Sequence, residues 1–282
     1  MDDYLHIKRT IIDIGLKREY KFFQISDAHI NAVDDESTVV DIENYHKQRE
    51  KWDQLKKDFA KKYGDICDER YDTDPVVPFE KLTDYAKKSV TDALILSGDI
   101  IDLVSESNLR YIKKFLDNYG HPYIYCLGNH ESYDECNRKE KCYERLSPVI
   151  KHPDFSSVDY GEFKIVSLDN GIKMVSDDQL RKLENELLED KKILLVLHEP
   201  LCLGDFGDKA GKMMNSYFLY GSQNDPDDTK RLLDIVKNNE DKFIAVLAGH
   251  VHTTVEGKIT DKLMQYTITS AMIGYGREII IK

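Results

Sequence analysis

Residues 93–102 carry the sequence ALILSGDIID, in which a short apolar run gives way to two aspartates. The run at 93–96 is rich in Leu and Ile and is bounded by turn-type residues, which is typical of a buried strand. Asp99 and Asp102 follow directly, after a glycine that permits a sharp turn. The stretch therefore predicts a strand whose carboxyl end leads into a turn that carries acidic side chains.

The same kind of apolar run recurs along the chain, at residues 22–25, 123–127, 163–166, 193–197 and 243–247. Helical patterns lie between these runs: apolar residues recur at steps of three and four in 52–63 and in 109–119. Ser176 and Gln179 have the spacing of a capping box that opens another helix. Strands that alternate with helices predict an α/β fold with its sheet buried on both faces.

Most of these runs end in polar residues of three types. The residues that follow them are Asp27, His29, Asp99, Asp102, Asn129, His130, His198, His250 and His252. In open α/β sheets, sites form beyond the carboxyl ends of the strands, so we expect these side chains at one edge of the sheet. Asp, Asn and His are ligands for hard or borderline divalent ions, and there are enough of them here for two.

The ordered motifs carry a resemblance to a known family. They are Asp27-Ala28-His29, Gly98-Asp99-Ile100-Ile101-Asp102, Gly128-Asn129-His130-Glu131, His198 and Gly249-His250-Val251-His252. Together they resemble the calcineurin-like metallophosphoesterase superfamily. The resemblance implies two packed mixed β-sheets that form a sandwich flanked by helices. It also implies a hydrolase that cleaves phosphomonoesters or phosphodiesters by attack of a metal-bridging hydroxide.

The resemblance further implies a role for each matching position. One metal would be held by Asp27, His29 and His252, and the second by Asn129, His198 and His250. Asp99 would bridge the two ions, His130 would act as general acid, and Asp102 would orient it. Mixed oxygen and nitrogen ligands suit manganese, iron, zinc or nickel, so the identity of the metals stays open.

The chain is expected to form one domain, 1–282, with a helical insertion near 31–90 and a rim loop near 201–225. In the rim loop, Lys209 and Lys212 are candidates to meet substrate phosphate, and the loop's aromatics could stack on a substrate or pack beneath the loop. Arg277 could reach substrate or belong to a hairpin turn. Trp52 is expected in the core or on a helix-packing face rather than in a substrate pocket, and Glu131 in a solvated or supporting position.

Composition restricts the partners. Lys and Arg number 40 against 52 Asp and Glu, which gives a net charge of −12 and argues against nucleic acid and against an anionic membrane surface. No apolar run reaches the roughly 18 residues of a membrane span, and the amino-terminal residues do not resemble a secretory signal. With five scattered cysteines, we expect a cytoplasmic protein with reduced thiols and a small-molecule phosphoester substrate; the oligomeric state stays open.

Two alternatives remain from the sequence. The fold could serve as a non-catalytic binding or scaffold module, which elemental analysis would reveal by an absence of near-stoichiometric metal. The enzyme could instead act on phosphoprotein or nucleic acid. Leu103 stands where Ser/Thr protein phosphatases have Arg after the aspartate, and this disfavours the phosphoprotein substrate.

Overall fold

A computed structural model describes residues 5–63, 74–132, 139–222, 225 and 229–282. Within that part, the strands are β1 (His6–Ile12), β2 (Tyr20–Ile25), β3 (Ala93–Ser97), β4 (Tyr123–Cys126), β5 (Phe155–Asp159), β6 (Phe163–Leu168), β7 (Lys192–Val196), β8 (Phe243–Ala248), β9 (Glu256–Lys258), β10 (Met264–Thr267) and β11 (Tyr275–Ile281). The α-helices are α1 (Val39–Tyr63), α2 (Val76–Lys88), α3 (Glu106–Tyr119), α4 (Asn129–Ser132), α5 (Lys139–Leu146), α6 (Asp177–Leu187), α7 (Gly204–Met214) and α8 (Thr229–Asn238).

The strands form two mixed sheets. One has the order β1-β11-β2-β3-β4, and the other has the order β5-β6-β7-β8-β10-β9. β2, β3 and β4 are parallel, as are β6, β7 and β8, whereas β11 runs antiparallel to β2 and β5 antiparallel to β6. The predicted α/β sandwich of two mixed sheets in a single domain is therefore confirmed.

Alternation along the strands divides the core into layers, because successive side chains of a strand point to opposite faces. Phe22 and Ile95 lie between the sheets, in one cluster with Phe163 and Val196. Their neighbours on the opposite face pack against α2 and α3, and the second sheet packs in the same way against α6 and α8. The result is a helix–sheet–sheet–helix arrangement in which the central strands are buried on both faces.

All six apolar runs form strands, at β2, β3, β4, β6, β7 and β8. The capping box also forms, since the Ser176 side chain accepts from the backbone N–H of Gln179 and the Gln179 side chain accepts in return. Sequence analysis missed the short internal strand β10, and it also missed β1, β5 and β9, which are edge strands with partly exposed residues. An edge strand needs no continuous apolar run, so the pattern that identifies central strands is absent there.

The two connecting segments contain helices. Residues 31–90 include α1 and α2, whereas 201–225, expected to be a loop, contains α7 and a 3₁₀ turn, Ser216–Phe218. Phe206 and Ala210, one helical turn apart, are fully buried and fix α7 to the body. The three glycines of α7 concealed the helix, because Gly is an unfavourable residue in helix interiors. Among the described helices, none has the length and apolar character that a membrane span requires.

Candidate active site

The ends of four strands are joined in two pairs by backbone hydrogen bonds. Asp27 N–H donates to the carbonyl of Gly98 at 3.0 Å, and Gly249 N–H donates to the carbonyl of His198 at 3.0 Å. His29 N–H likewise donates to the carbonyl of Asp99, at 2.9 Å. These bonds bring the residues that follow β2, β3, β7 and β8 into one place, as the strand-end pattern predicted.

Left-handed backbone conformations are concentrated at this place. The φ angles are 56° at Asp27, 47° at His29, 53° at Asp99, 67° at His250 and 50° at His252. Each costs roughly 1–3 kcal/mol in a residue other than glycine, so it persists only where surrounding contacts impose it. Such clustering of strained residues is typical of a functional site.

The three glycines of the motifs are needed because neighbouring atoms leave no room for a Cβ atom, more than because the backbone turns sharply there. Gly98 has φ of +91°, and a Cβ there would lie 2.3 Å from His198 Nδ1. Gly128 and Gly249 lie outside the left-handed region. A Cβ would stand 2.1 Å from Asp99 Oδ1 at Gly128 and 1.8 Å from Ser26 Oγ at Gly249. All three therefore leave room for side chains of the site.

Asp27, His29 and His252 form the first cluster, with ligand atoms all within 4.8 Å of one another. His29 Nε2 lies 3.0 Å from His252 Nε2, and His252 Nε2 lies 3.3 Å from Asp27 Oδ1. The backbone N–H of His250 donates to the Asp27 carboxylate at 3.0 Å. These three side chains are the ones predicted to hold the first metal.

Asp99, His198 and His250 form the second cluster. Asn129 Oδ1 joins it, 3.1 Å from His198 Nε2 and 2.8 Å from His250 Nδ1. Asp99 Oδ2 lies 3.2 Å from His198 Nε2 and 3.8 Å from His29 Nε2, so one carboxylate faces both clusters. The residues predicted to hold the second metal are thus together, with the predicted bridging aspartate between the two sets.

The donor set fits divalent cations. Two imidazole nitrogens that face each other at 3.0 Å need a proton or a cation between them. Burial, reinforced by neighbouring histidines, lowers the pKa of His29 to about 4 and that of His250 to about 3, so their nitrogen lone pairs are available near pH 7. Burial alone would lower the pKa of His198, but the adjacent Asp99 raises it to about 10. A cation there would displace a proton.

Asp102 connects two histidines of the site. It is fully buried, and its Oδ1 lies 2.8 Å from His130 Nδ1 and 3.1 Å from His29 Nδ1. Burial alone would lower the pKa of His130, but the charge of Asp99 and the hydrogen bond to Asp102 raise it to about 9. Since the His130 side chain stays 22% exposed, a protonated imidazole is available at the surface of the site.

Trp52 is buried, as expected, but it also contacts the site directly, which sequence analysis did not predict. Its indole N–H donates to Asp102 Oδ1 at 3.0 Å, and its ring lies 4.0 Å from that of His29. The side chain is 6% exposed. Sequence spacing gave no signal for this contact, because α1 reaches Asp102 across 50 positions of the chain.

We expect Trp52→Phe to lower kcat about tenfold, because it keeps the ring over His29 and removes one hydrogen bond to a charged carboxylate. The measurement is steady-state hydrolysis of bis-p-nitrophenyl phosphate by protein of verified metal content. Tyr45→Phe is the control, since it removes a hydrogen bond from the same helix to Asp74. A kcat for Trp52→Phe equal to that of the control would contradict a role in orienting Asp102.

Glu131 is fully buried, so of the solvated and supporting positions expected for it the structure has the supporting one. Its carboxylate accepts backbone N–H groups of Asp99, Ile100 and Gly128 at 2.7–2.8 Å, and the Tyr125 hydroxyl at 2.9 Å. Burial and the charge of Asp99 raise the pKa of Glu131 to about 7. The glutamate thus holds the turn that presents Asp99.

Glu131→Gln is expected to lower the free energy of unfolding by about 3 kcal/mol, because an amide N–H would face backbone N–H donors. Urea denaturation of the metal-free protein would measure this loss. Glu140→Gln, on the exposed face of α5, is the matched control and should change stability by less than about 0.5 kcal/mol. Equal stability of the two variants would show that Glu131 does not support the turn.

Asn170 is a supporting residue that lies outside the sequence motifs. It is fully buried, and its Oδ1 accepts the backbone N–H groups of His198 and Glu199, each at 3.0 Å. Its Nδ2 donates to the Glu199 carbonyl at 2.7 Å. The amide thereby fixes the segment that presents His198.

The structure does not bring the predicted substrate cations to the cluster. Lys209 pairs with Asp205 at 2.6 Å on the surface of α7, and Lys212 is exposed on the same helix. Within the described part, neither forms a hydrogen bond or ion pair with the cluster. Both expectations for Arg277 are wrong. The residue lies in strand β11 rather than in a hairpin turn, and its guanidinium is fully buried, so it does not reach out to substrate.

Arg277 links the two sheets instead. It pairs with Glu256 of β9 at 2.7 Å, donates to the carbonyl of Thr267 in β10 at 2.9 Å, and hydrogen-bonds Thr10 of β1. A buried guanidinium needs such partners, because an unpaired charge in the interior is costly. Two of the five cysteines expected to be reduced, Cys67 and Cys136, lie outside the described residues.

Residues 20–254 match the calcineurin-like phosphoesterase family, and the chain belongs to that family. It is accordingly a metallophosphoesterase, a hydrolase of phosphoester bonds. A probable cyclic nucleotide phosphodiesterase of Fibrobacter succinogenes is 27% identical over 269 residues, which cover 95% of this chain and 85% of that protein. A probable glycerophosphodiester phosphodiesterase of Arcobacter nitrofigilis is 29% identical over 188 residues, covering 61% and 62% of the two chains.

Solved structures share the fold. A dimetal phosphatase from Danio rerio superposes with a TM-score of 0.56 at 12% identity, covering 90% of this chain and 88% of that one. A purple acid phosphatase from yellow lupin gives a TM-score of 0.50 at 12% identity, covering 92% and 45%. These similarities agree with the two-sheet architecture.

Proposed function

We propose that this protein hydrolyses phosphodiester bonds of small substrates at a dinuclear metal site. The observation that carries the proposal is the position of Asp99, whose Oδ2 faces His29 of one cluster and His198 of the other. A carboxylate shared by two sets of nitrogen and oxygen ligands is the arrangement that two-metal hydrolysis uses.

In this proposal, Asp27, His29 and His252 hold one divalent ion, and Asn129, His198 and His250 hold the other. The ions, when bound, would lower the pKa of a water and neutralise charge on phosphoryl oxygens. Manganese, iron, zinc and nickel all suit this donor set. Glu131 and Asn170 keep the turns that carry the ligands in place.

His130 supplies the proton for the leaving oxygen. Its Nδ1 is held by Asp102 at 2.8 Å, which leaves Nε2 as the nitrogen that can donate to substrate. Asp102 favours the imidazolium form, and a general acid must carry its proton near the operating pH. The backbone N–H of His130 donates to Asp99 Oδ1 at 2.9 Å, so the acid and the shared carboxylate are fixed relative to each other.

The names of the relatives favour a diester. Both similar sequences are described as probable phosphodiesterases, one of cyclic nucleotides and one of glycerophosphodiesters. A monoester carries one more negative charge than a diester, and among the described residues neither candidate lysine pairs with the cluster to balance it. Phosphomonoester hydrolysis remains the second activity to measure.

The test compares bis-p-nitrophenyl phosphate with p-nitrophenyl phosphate after loading with Mn²⁺, Zn²⁺, Ni²⁺ or Fe²⁺. We expect turnover of the diester to exceed that of the monoester and to disappear after chelation. Absence of turnover of both esters by folded protein of confirmed metal content would refute the proposal. A preference for the monoester would overturn the diester assignment and keep the phosphoesterase.

A further inference from the structure

An aromatic pair stands exposed beside the second cluster. Tyr217 is 63% and Phe218 41% exposed, on the 3₁₀ turn Ser216–Phe218 that follows α7. The next residues, Leu219 and Tyr220, are buried at 0% and 1%. The sequence left open whether the aromatics of this segment pack beneath it or are available to a substrate. The structure shows both: some are buried in the core and two are exposed to solvent.

The turn that carries the pair is held from two sides. Asn215 has φ of +80°, and its side chain accepts the backbone N–H of Tyr217 at 3.1 Å. Lys173 Nζ donates to the carbonyl of Tyr217 and pairs with Asp225 at 2.7 Å. The exposed rings are therefore preorganised, which reduces the entropy that a ligand would otherwise lose by ordering them.

The pair borders the proposed metal site. The Phe218 ring lies 6.0 Å from the ring of His250, and the Tyr217 ring meets Phe218 edge to face at 5.7 Å. His250 Nδ1 is 2.8 Å from Asn129 Oδ1 within the second cluster. A phosphoryl group at that cluster would carry its organic substituent within reach of these rings.

We propose that Tyr217 and Phe218 form a stacking subsite for a flat aromatic group of the ester, of which a nucleobase is the natural example. The proposal rests on the proposed function, and it names the part of the substrate that the metal ligands leave open. Base–aromatic stacking is favourable for every base because each has a π-face. A glycerol group has no such face.

The charge of Lys173 restricts which ligands the aromatic pair can bind. Its ammonium lies 4.7 Å from the centroid of the Tyr217 ring, within the range of a cation–π contact. A quaternary ammonium group, such as that of choline, would compete for the same ring and meet a like charge. The subsite therefore suits a neutral aromatic base better than a cationic head group.

The test uses three p-nitrophenyl diesters that share a leaving group: those of thymidine 5′-phosphate, methyl phosphate and phosphorylcholine. With metal-loaded protein, the thymidine ester should have a kcat/KM about tenfold above that of the other two. Phe218→Ala and Phe218→Leu should raise KM for the thymidine ester about tenfold with little change in kcat, and affect the methyl ester far less. Phe218→Tyr keeps an aromatic ring at this position and should retain the wild-type KM. Leu188→Ala removes another exposed apolar side chain and is the control.

Other outcomes overturn the subsite. Equal kcat/KM for the thymidine and methyl esters, a preference for the phosphorylcholine ester, or equal losses on all three esters in Phe218→Ala would each do so. Cleavage of none of the esters would count against the proposed function instead. Calorimetric binding of AMP and ribose 5-phosphate then tests the subsite alone: AMP should bind about tenfold more tightly, and this advantage should vanish in Phe218→Ala. Equal binding of the two would refute it.

Discussion

Asp99→Asn is expected to abolish hydrolysis and to reduce bound metal below the two ions per chain of a dinuclear site. The substitution removes the charge that faces both His29 and His198, at 3.8 and 3.2 Å from their Nε2 atoms. It also changes the group that accepts the backbone N–H of His130 at 2.9 Å. Metal content by elemental analysis and turnover of bis-p-nitrophenyl phosphate should fall together.

Asp84→Asn is the matched control, because Asp84 is exposed on α2 and the substitution makes the same change of charge. It should keep both metal content and activity. Circular dichroism and thermal unfolding of the two variants would separate loss of metal from loss of fold. Asp99→Asn protein with full metal content and a rate within tenfold of wild type would remove Asp99 from the shared position.

His130→Ala should lower kcat by about 10²–10⁴-fold for a diester with a poor leaving group, the usual contribution of a general acid. The effect should be smaller for a p-nitrophenyl ester, because p-nitrophenolate leaves without needing a proton. Metal content should stay at the wild-type level, since Asp102 and Trp52 continue to hold His29. Bis-p-nitrophenyl phosphate and diphenyl phosphate form a suitable pair of substrates.

His121→Ala is the control for this prediction, since His121 is exposed and lies outside the site. If His130→Ala slowed both esters by the same factor, His130 would act on binding or structure rather than on the leaving group. A loss of metal in His130→Ala would instead place the residue among the ligands. The comparison of the two esters therefore distinguishes three roles for one side chain.

The central strands and most of the metal-ligand candidates could be predicted because their signals are local. An apolar run that ends in Asp99 or Asn129 needs no other part of the chain to be recognised. Parallel strands place their carboxyl ends at one edge, so the convergence of His198 and His250 followed from fold class alone. Edge strands such as β1 were not predicted, because a partly exposed strand does not need a continuous apolar run.

The supporting contacts could not be predicted, because each depends on a partner distant in sequence. Nothing local in the sequence marks Glu131 as a supporting residue. Its role comes from the backbone N–H groups of the turn at Asp99, 32 positions away in sequence. By residue type, Arg277 is a candidate to contact substrate, yet packing of the two sheets buries it beside Glu256. Burial and partner, rather than residue type, decide what these side chains do.

By itself, then, the sequence determined the family, the alternation of strands and helices, and the residues that converge on the strand ends, since all of these follow from order along the chain. Tertiary structure alone decided that Trp52 of α1 contacts Asp102, that Lys209 pairs with Asp205 on the surface, and that Tyr217 and Phe218 stand exposed beside His250. The physical reason is that a side chain's solvent exposure and hydrogen-bond partners come from elements that only folding brings together.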